Sequence, residues 1–331
     1  MDINQVAQMA GVSRATVSRY FNDGYVSQEK RAAIARVVEE TGYVPSRQAK
    51  TLRTGKSGLV GIIIPKINSA SVSRMVAGIT GVLNEVGYQA LLANTDNDAA
   101  REVSFLRLFS ERSKVDGVIL MATVLTPAHD AAIAALPVPL VVLSQKLEGR
   151  SCVYQDEYGA LRALTERVLS AGDRPAYIGV LEEDVAAGRR RREGFLAGCA
   201  ARGVAVEEGA CVIADFSIES GYAACERLME RGVSFDTLVC ATDSIAYGAM
   251  ACLADRGIAV PADVQVAAVG DSDISQVVTP SLTSVHYHYK TSGAEAARML
   301  AESMADEDAV AREIKMGYDV VVRDSTRQKR M

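Results

Sequence analysis

Along the first 42 residues, apolar side chains recur at three-and-four spacing; from residue 59 onward they gather into short unbroken runs instead. Ile3, Val6, Ala7 and Ala10 form the stripe of a first short helix. Gly11 stands where the chain must turn, and a positive φ there costs a glycine nothing. Ser13 can cap a second helix, in which Val17 returns to pack on the small Ala7. Arg14, Ala15, Thr16, Ser18 and Arg19 are left facing outward, a short polar and basic surface of the kind that enters a DNA major groove N-terminus first. A third amphipathic stretch runs from Ser27 through Ile34, Val37 and Val38 to Gly42 and closes a three-helix domain.

Pro45 then stops one element, Ser46 can cap another, and Gly55 ends it. The helix between them has about eight residues, fewer than the roughly 12–15 an isolated helix needs in water. It carries Arg47, Lys50 and Arg53 around an exposed Leu52. A marginal helix of this composition makes sense if it folds on DNA, with the basic groups on phosphates and the leucine wedged into the minor groove.

The later apolar runs, at 59–65, 89–93, 115–121 and 140–143, alternate with amphipathic stretches such as 72–86. A second set follows at 177–180, 211–213, 237–240 and 264–269. Strands alternating with helices predict parallel sheets, and two sets predict two doubly wound lobes. The chain is expected to change lobe near 144–154 and 280–289, with the C-terminal residues crossing back. Sheets of this kind bind ligands beyond the carboxyl ends of their strands, which places a site between the lobes. Periplasmic sugar-binding proteins share that plan; the basic head sets this chain apart from them.

Charge separates the two parts. Residues 1–57 hold nine Lys and Arg against five Asp and Glu, a net +4, while the other 274 residues hold 27 against 36, a net −9. The total of −5 therefore hides a basic head suited to a phosphate backbone. With 331 residues, 49% of them hydrophobic, the chain has room for two or three domains and a substantial core. No apolar run approaches 18 residues and no basic-then-apolar leader opens the chain, so the expectation is a cytoplasmic protein with no membrane partner. All six cysteines lie beyond residue 150 without CxxC spacing and read as small buried hydrophobes in a reducing compartment.

The run Val6-Ala7-Gln8-Met9-Ala10-Gly11-Val12-Ser13-Arg14-Ala15-Thr16-Val17-Ser18-Arg19 and the segment Ser46-Arg47-Gln48-Ala49-Lys50-Thr51-Leu52-Arg53 resemble the LacI/GalR family of transcriptional regulators. Late signatures agree, and the resemblance covers the whole chain. It implies an all-α helix-turn-helix head (1–45), a hinge helix and linker (46–57), and a two-lobed α/β body like a periplasmic binding protein (58–331). The N-lobe would comprise about 58–146 and 287–318, the C-lobe about 147–286 and 319–331. It further implies a homodimeric repressor on a pseudo-palindromic double-stranded operator, controlled by a small-molecule effector, with no cofactor. By this resemblance Arg14, Ala15 and Arg19 read bases, Leu52 is the minor-groove lever, and Ala49 lets two hinge helices pack across the dimer. Asn4, Ser13, Thr16, Ser18, Tyr25, Arg47, Lys50 and Arg53 complete the DNA-contacting set. Where the family's hinge usually opens with asparagine, this one has Ser46, also a capping residue. The chain ends at Arg327-Gln328-Lys329-Arg330-Met331 with no leucine repeat, so a dimer is the expected limit.

Effector candidates sit at the strand ends. Ser69, Ser71 and Val72 belong to a hydroxyl-rich loop that opens a helix, a good place for ligand hydroxyls or an anion. Arg191-Arg192-Glu193-Gly194-Phe195 resembles the family's Arg-x-x-Gly-Phe turn, which points the Arg191 guanidinium into the cleft, where its planar fork suits vicinal hydroxyls or a carboxylate. Phe216 aligns with an aromatic platform, and Thr242 and Asp243 with the family's strand-end pair, Asp243 also being able to cap the next helix. Gly270-Asp271-Ser272-Asp273 departs from the usual Gly-aromatic-Asp-Asp, since Asp271 replaces the aromatic and Ser272 an aspartate. The Pro280-Ser281-Leu282-Thr283 crossover places Tyr287 and Tyr289 near the cleft, and Gln145 completes the set. Segments 154–160 and 184–191 look most like the disaccharide-responsive, trehalose-type members. A sugar or sugar phosphate is the expected effector, with a nucleobase or nucleoside corepressor as the competing class.

Enzyme readings fare poorly. Gly55-Lys56-Ser57 ends like a phosphate-binding loop, but Lys50 stands at the required first glycine. His286 and His288 share a face without further ligands at metal spacing, His129 being the only other histidine. No Gly-x-Ser-x-Gly motif appears. The acidic run Glu182-Glu183-Asp184 lies near the expected cleft, yet neighbouring carboxylates more often face solvent than take part in catalysis. A sugar-processing enzyme with a DNA-binding head is the distant alternative.

Overall fold

In a computed structural model the chain divides into two compact units, Met1–Gly58 and Leu59–Met331. The structure describes residues 1–22, 24–43, 56–111, 115–170, 172–306 and 308–327. The expected hinge helix, with Ser46, Arg47, Ala49, Lys50, Leu52 and Arg53, lies outside the described residues.

The head consists of α1 (Ile3–Met9), α2 (Arg14–Tyr20) and α3 (Gln28–Thr41). Asp2 opens α1 through a capping box: its carboxylate accepts the Asn4 and Gln5 N–H groups while the Gln5 side chain accepts from the Asp2 N–H. Gly11 turns the chain at a φ of 64°, and the Ser13 side chain accepts the Thr16 N–H to start α2. Val6, Ala7, Val17, Ile34 and Val37 form the buried centre. Ser27 is the N-cap of α3 without a side-chain bond, and Gly42 ends it in the left-handed conformation.

The body is two α/β lobes. The first contains β1 (Leu59–Ile64), α4 (Ala70–Glu85), β2 (Gln89–Asn94), α5 (Ala99–Glu111), β3 (Gly117–Met121), α6 (Pro127–Ala134), β4 (Leu140–Leu143) and β5 (Ser151–Gln155). The second contains α7 (Glu157–Val168), β6 (Pro175–Gly179), a π-helical turn (Val185–Arg190) leading into α8 (Arg191–Ala201), β7 (Cys211–Ile213) and α9 (Ile218–Glu230). It continues with β8 (Thr237–Cys240), α10 (Asp243–Asp255), β9 (Gln265–Val269), α11 (Asp273–Val277) and β10 (Thr283–Tyr287). The chain then returns: α12 (Tyr289–Ala305) packs on α4, β11 (Glu313–Met316) joins the first sheet, and β12 (Tyr318–Val321) the second. The sheet orders are β11-β5-β4-β3-β1-β2 and β12-β10-β9-β8-β6-β7. All pairings are parallel except β10 with β12. β3 and β6 are buried along their whole length, which is why they read as unbroken apolar runs rather than alternations; β9 is equally buried, but opens on Gln265, whose amide donates to Thr237 Oγ1. Five cysteines are buried and Cys211 is half-buried, all of them free.

One boundary is corrected. The expectation assigned 147–155 to the second lobe, but β5 pairs with β4, Val141 opposite Ser151, and carries β11 on its other edge. The crossing therefore comes at Asp156. Ser151-Cys152-Val153-Tyr154-Gln155 mixes polar and apolar residues, and Gln155 tolerates burial because its amide donates to Ser292 Oγ at 3.2 Å. A search for aliphatic runs passes over such a strand.

Two glycines let α4 and α12 approach backbone to backbone. A Cβ on Gly78 would stand 1.9 Å from Lys290 O, and one on Gly293 2.0 Å from Met75 O. Gly78→Ala is expected to force the helices apart and to cost about 1–3 kcal/mol or more. The check is the melting transition by circular dichroism, where an unchanged curve would show that this contact is not needed.

Candidate functional site

On the head, Asn4, Ser13, Arg14, Ala15 and Arg19 are exposed, and Thr16 and Ser18 are partly so. They belong to the first two helices or their caps. Tyr25, 90% exposed, lies in the loop between α2 and α3. Val17 is fully buried beneath α2, so the helix has one face fixed in the core and the other open.

In the body, the carboxyl ends of both sets of strands enclose a cavity of about 660 Å³. Ser69, Ser71, Val72, Gln145, Arg191, Phe216, Thr242, Asp243, Ser272 and Tyr289 all line it, whereas Asp271 and Tyr287 do not. Hydroxyls (Ser69, Ser71, Ser73, Thr123, Thr242, Ser272) alternate in its wall with apolar surface from Met75, Met121, Phe216, Ile218 and Ile274.

Arg191 is not the open fork the sequence suggests. Its Nε donates to Glu157 Oε2 at 2.6 Å, Nη2 to Glu157 Oε1 at 2.9 Å and Nη1 to the Ala241 carbonyl at 2.6 Å. The Tyr287 hydroxyl donates to Glu157 Oε2 at 2.7 Å, which explains why this tyrosine backs the cavity instead of lining it. Burial alone would lower the Arg191 pKa, but Glu157 outweighs it and holds the guanidinium well above its ordinary value. Burial, then the Glu157 charge, pushes the Tyr287 phenol far up, so it stays a donor. Glu157 opens α7 after β5, and its role escapes sequence reasoning because nothing local pairs it with residue 191.

Asp243 does not cap its helix. Thr242 is the N-cap, accepting the Ile245 N–H, while the Asp243 carboxylate accepts Ser284 Oγ–H at 2.6 Å, Ser272 N–H at 2.8 Å and Ser275 Oγ–H at 2.8 Å. Burial raises its pKa against those three bonds. The group ties three strand ends together and has little left for a ligand. Asp271 is withdrawn likewise. Arg323 Nη2 donates to its Oδ1 at 2.6 Å and His286 Nδ1 lies 2.9 Å from its Oδ2. His288 Nε2 is 3.4 Å from an Asp319 carboxylate oxygen. Among the described residues no cluster of three His, Cys, Asp or Glu could hold a metal, and no helix is long and apolar enough to cross a membrane.

Two side chains, Arg74, which the sequence reading missed, and Gln145, which it named, join the lobes across the cleft. Arg74 on α4 donates to Gly270 O at 3.3 Å, Asp271 O at 2.9 Å and Asp273 Oδ1 at 3.3 Å. Gln145 Nε2, after β4, donates to Thr123 O at 2.9 Å and to Asp184 Oδ1 at 2.8 Å. Asp184 is thus a buried cavity residue, 6% exposed, and not the solvent-facing carboxylate expected. The described non-glycine residues at positive φ, Asp96, Asn97, Ser144 and Asp271, all follow strand ends, and Asn97 and Ser144 line the cavity. Backbone strain gathers where ligands bind.

Residues 2–46 match the family model for bacterial regulatory proteins of the lacI family, and residues 165–326 match a periplasmic binding protein-like domain. The HTH-type transcriptional regulator CelR of Thermobifida fusca is 30% identical over 98% of this chain and 97% of its own. The chain belongs to the LacI family. Other LacI-family relatives include the sucrose operon repressor of Staphylococcus xylosus, 29% identical over 89% of this chain and 91% of its own. TreR of Escherichia coli is 28% identical over 91% and 92%. Among solved structures, a CelR–cellobiose complex superimposes with a TM-score of 0.76 at 28% identity, covering 98% of this chain and 99% of that one. As a LacI-family member the protein is a DNA-binding transcriptional repressor under effector control, and not an enzyme. Its two-lobed body is the LacI-type fold expected from the alternation of strands and helices.

Proposed function

We propose that this repressor binds a pseudo-palindromic operator as a cytoplasmic homodimer and is controlled by a sugar held between the lobes of its body. The observation that carries the reading is the interlobe cavity, whose hydroxyl and apolar surfaces suit the two sides of a pyranose ring. The relatives named above include a repressor named for sucrose and a regulator crystallised with cellobiose. Arg14, Ala15 and Arg19 would read base edges, with Asn4, Ser13, Thr16, Ser18 and Tyr25 fixing the head on the backbone. Ser69, Ser71, Val72, Phe216, Thr242, Ser272 and Tyr289 would hold the sugar. Its arrival would change the lobe-to-lobe pose that Arg74 and Gln145 now fix, and unfold the marginal hinge helices.

The test is an operator selected from a random duplex pool, followed by fluorescence anisotropy with mono- and disaccharides added. Affinity should fall linearly with salt on a logarithmic scale and fall again when one sugar is added. No duplex binding at low salt would sink the reading. Tighter binding on adding a purine, with no sugar effect, would make the protein a corepressor-dependent regulator instead.

A further inference from the structure

We propose that the cleft takes its sugar uncharged and discriminates against the phosphorylated form, with the Asp184 carboxylate as the specificity-determining group. The inference rests on the sugar reading above and narrows it. Three cations line the cavity (Lys66, Arg74 and Arg191) against five carboxylates (Glu157, Asp184, Glu219, Asp243 and Asp273). Both arginines are already matched within the protein, Arg191 by both oxygens of Glu157 and Arg74 by Asp273 and two carbonyls. Lys66 remains, half-buried, and its charge already acts on the exposed Glu219. A phosphate ester would bring about −1.5 to −2 of charge to this wall with no unmatched arginine to receive it.

Asp184 has the opposite preference. Its Oδ1 accepts Gln145 Nε2–H and the Ala187 N–H, while Oδ2 takes no donor among the described residues. Burial raises the carboxyl pKa, opposed by the Ala187 N–H, the Arg191 charge and the Gln145 amide. Asp184 lines the cavity, so its Oδ2 faces the cavity's solvent, and a ligand hydroxyl there makes a charge-assisted hydrogen bond in place of water. Phe216, Ile218 and Ile274 present apolar surface in the same cavity for the carbon face of the ring.

Isothermal titration of the full-length protein would compare maltose, trehalose, sucrose and cellobiose with the 6-phosphate of each. At least one free sugar should bind about 10-fold or more tighter than its own phosphate. Asp184→Asn should weaken that sugar by about 10- to 100-fold, the size of a hydrogen bond to a charged group, and narrow the gap to the phosphate. Tighter binding of the phosphate by the unaltered protein would overturn the inference while leaving the sugar reading intact, and this comparison does not depend on the variant folding. A folded Asp184→Asn variant with both affinities within twofold of the unaltered protein would also overturn it. If no sugar binds in either form, the sugar reading fails and the inference falls with it.

Discussion

Glu157→Ala is expected to destabilise the protein by about 3–5 kcal/mol, the range seen when one partner of a buried ion pair is removed. Arg191 would stay 6% exposed without a countercharge, and the Tyr287 hydroxyl would lose the acceptor it has among the described residues. The penalty comes from the uncompensated guanidinium more than from the lost attraction, because two matched charges in a buried place nearly balance their own desolvation. Replacing both partners by apolar residues, Glu157→Leu with Arg191→Met, should therefore recover much of the loss, a sign of coupling that a surface pair would not show. Urea unfolding followed by circular dichroism measures both. A loss below about 1 kcal/mol for the single variant would mean that Arg191 reaches water through the cavity, and the site would then have to be redrawn with a free cation.

Leu52→Ala is expected to weaken specific operator binding by about 10- to 100-fold, since unstacking a base step costs about a few kcal/mol and the apolar wedge is what offsets it. Two further readouts separate the wedge from general damage. The salt dependence should be retained, because Arg47, Lys50 and Arg53 are untouched, whereas Arg53→Ala should reduce the slope by about one. Sugar affinity should be unchanged in Leu52→Ala, since the cavity is built entirely from residues 65–289. Equal losses of operator and sugar affinity would show that the substitution disturbs the fold and that Leu52 is no lever.

Much of the candidate site could be read in the chain because local chemistry marked it. A serine three residues before a threonine, a glycine at a turn and small residues at helical spacing define the head without any distant contact. Ser69, Val72, Phe216 and Thr242 follow apolar runs, and strand ends of parallel sheets face a cleft by topology. The residues that failed were those whose partners are remote. Asp243 and Asp271 look like ligand acceptors in their own segments, yet Ser284 and Arg323 claim them from strands and loops far along the chain. Asp184 looks like part of a solvated acidic run until Gln145, 39 residues earlier, is found against it.

The sequence by itself determined the helix-turn-helix, the charge division between head and body, the two α/β lobes and the LacI family. The first three rest on periodicity, turn chemistry or composition, which act over a few residues, and the family on the resemblance of its motifs. Only the tertiary structure decided that β5 belongs to the first lobe, that Glu157 neutralises Arg191 and that Asp184 keeps one oxygen for the cavity. The reason is electrostatic: whether a charged side chain is matched or open depends on which groups folding brings within about 3 Å of it, and those groups come from elements far apart in the chain.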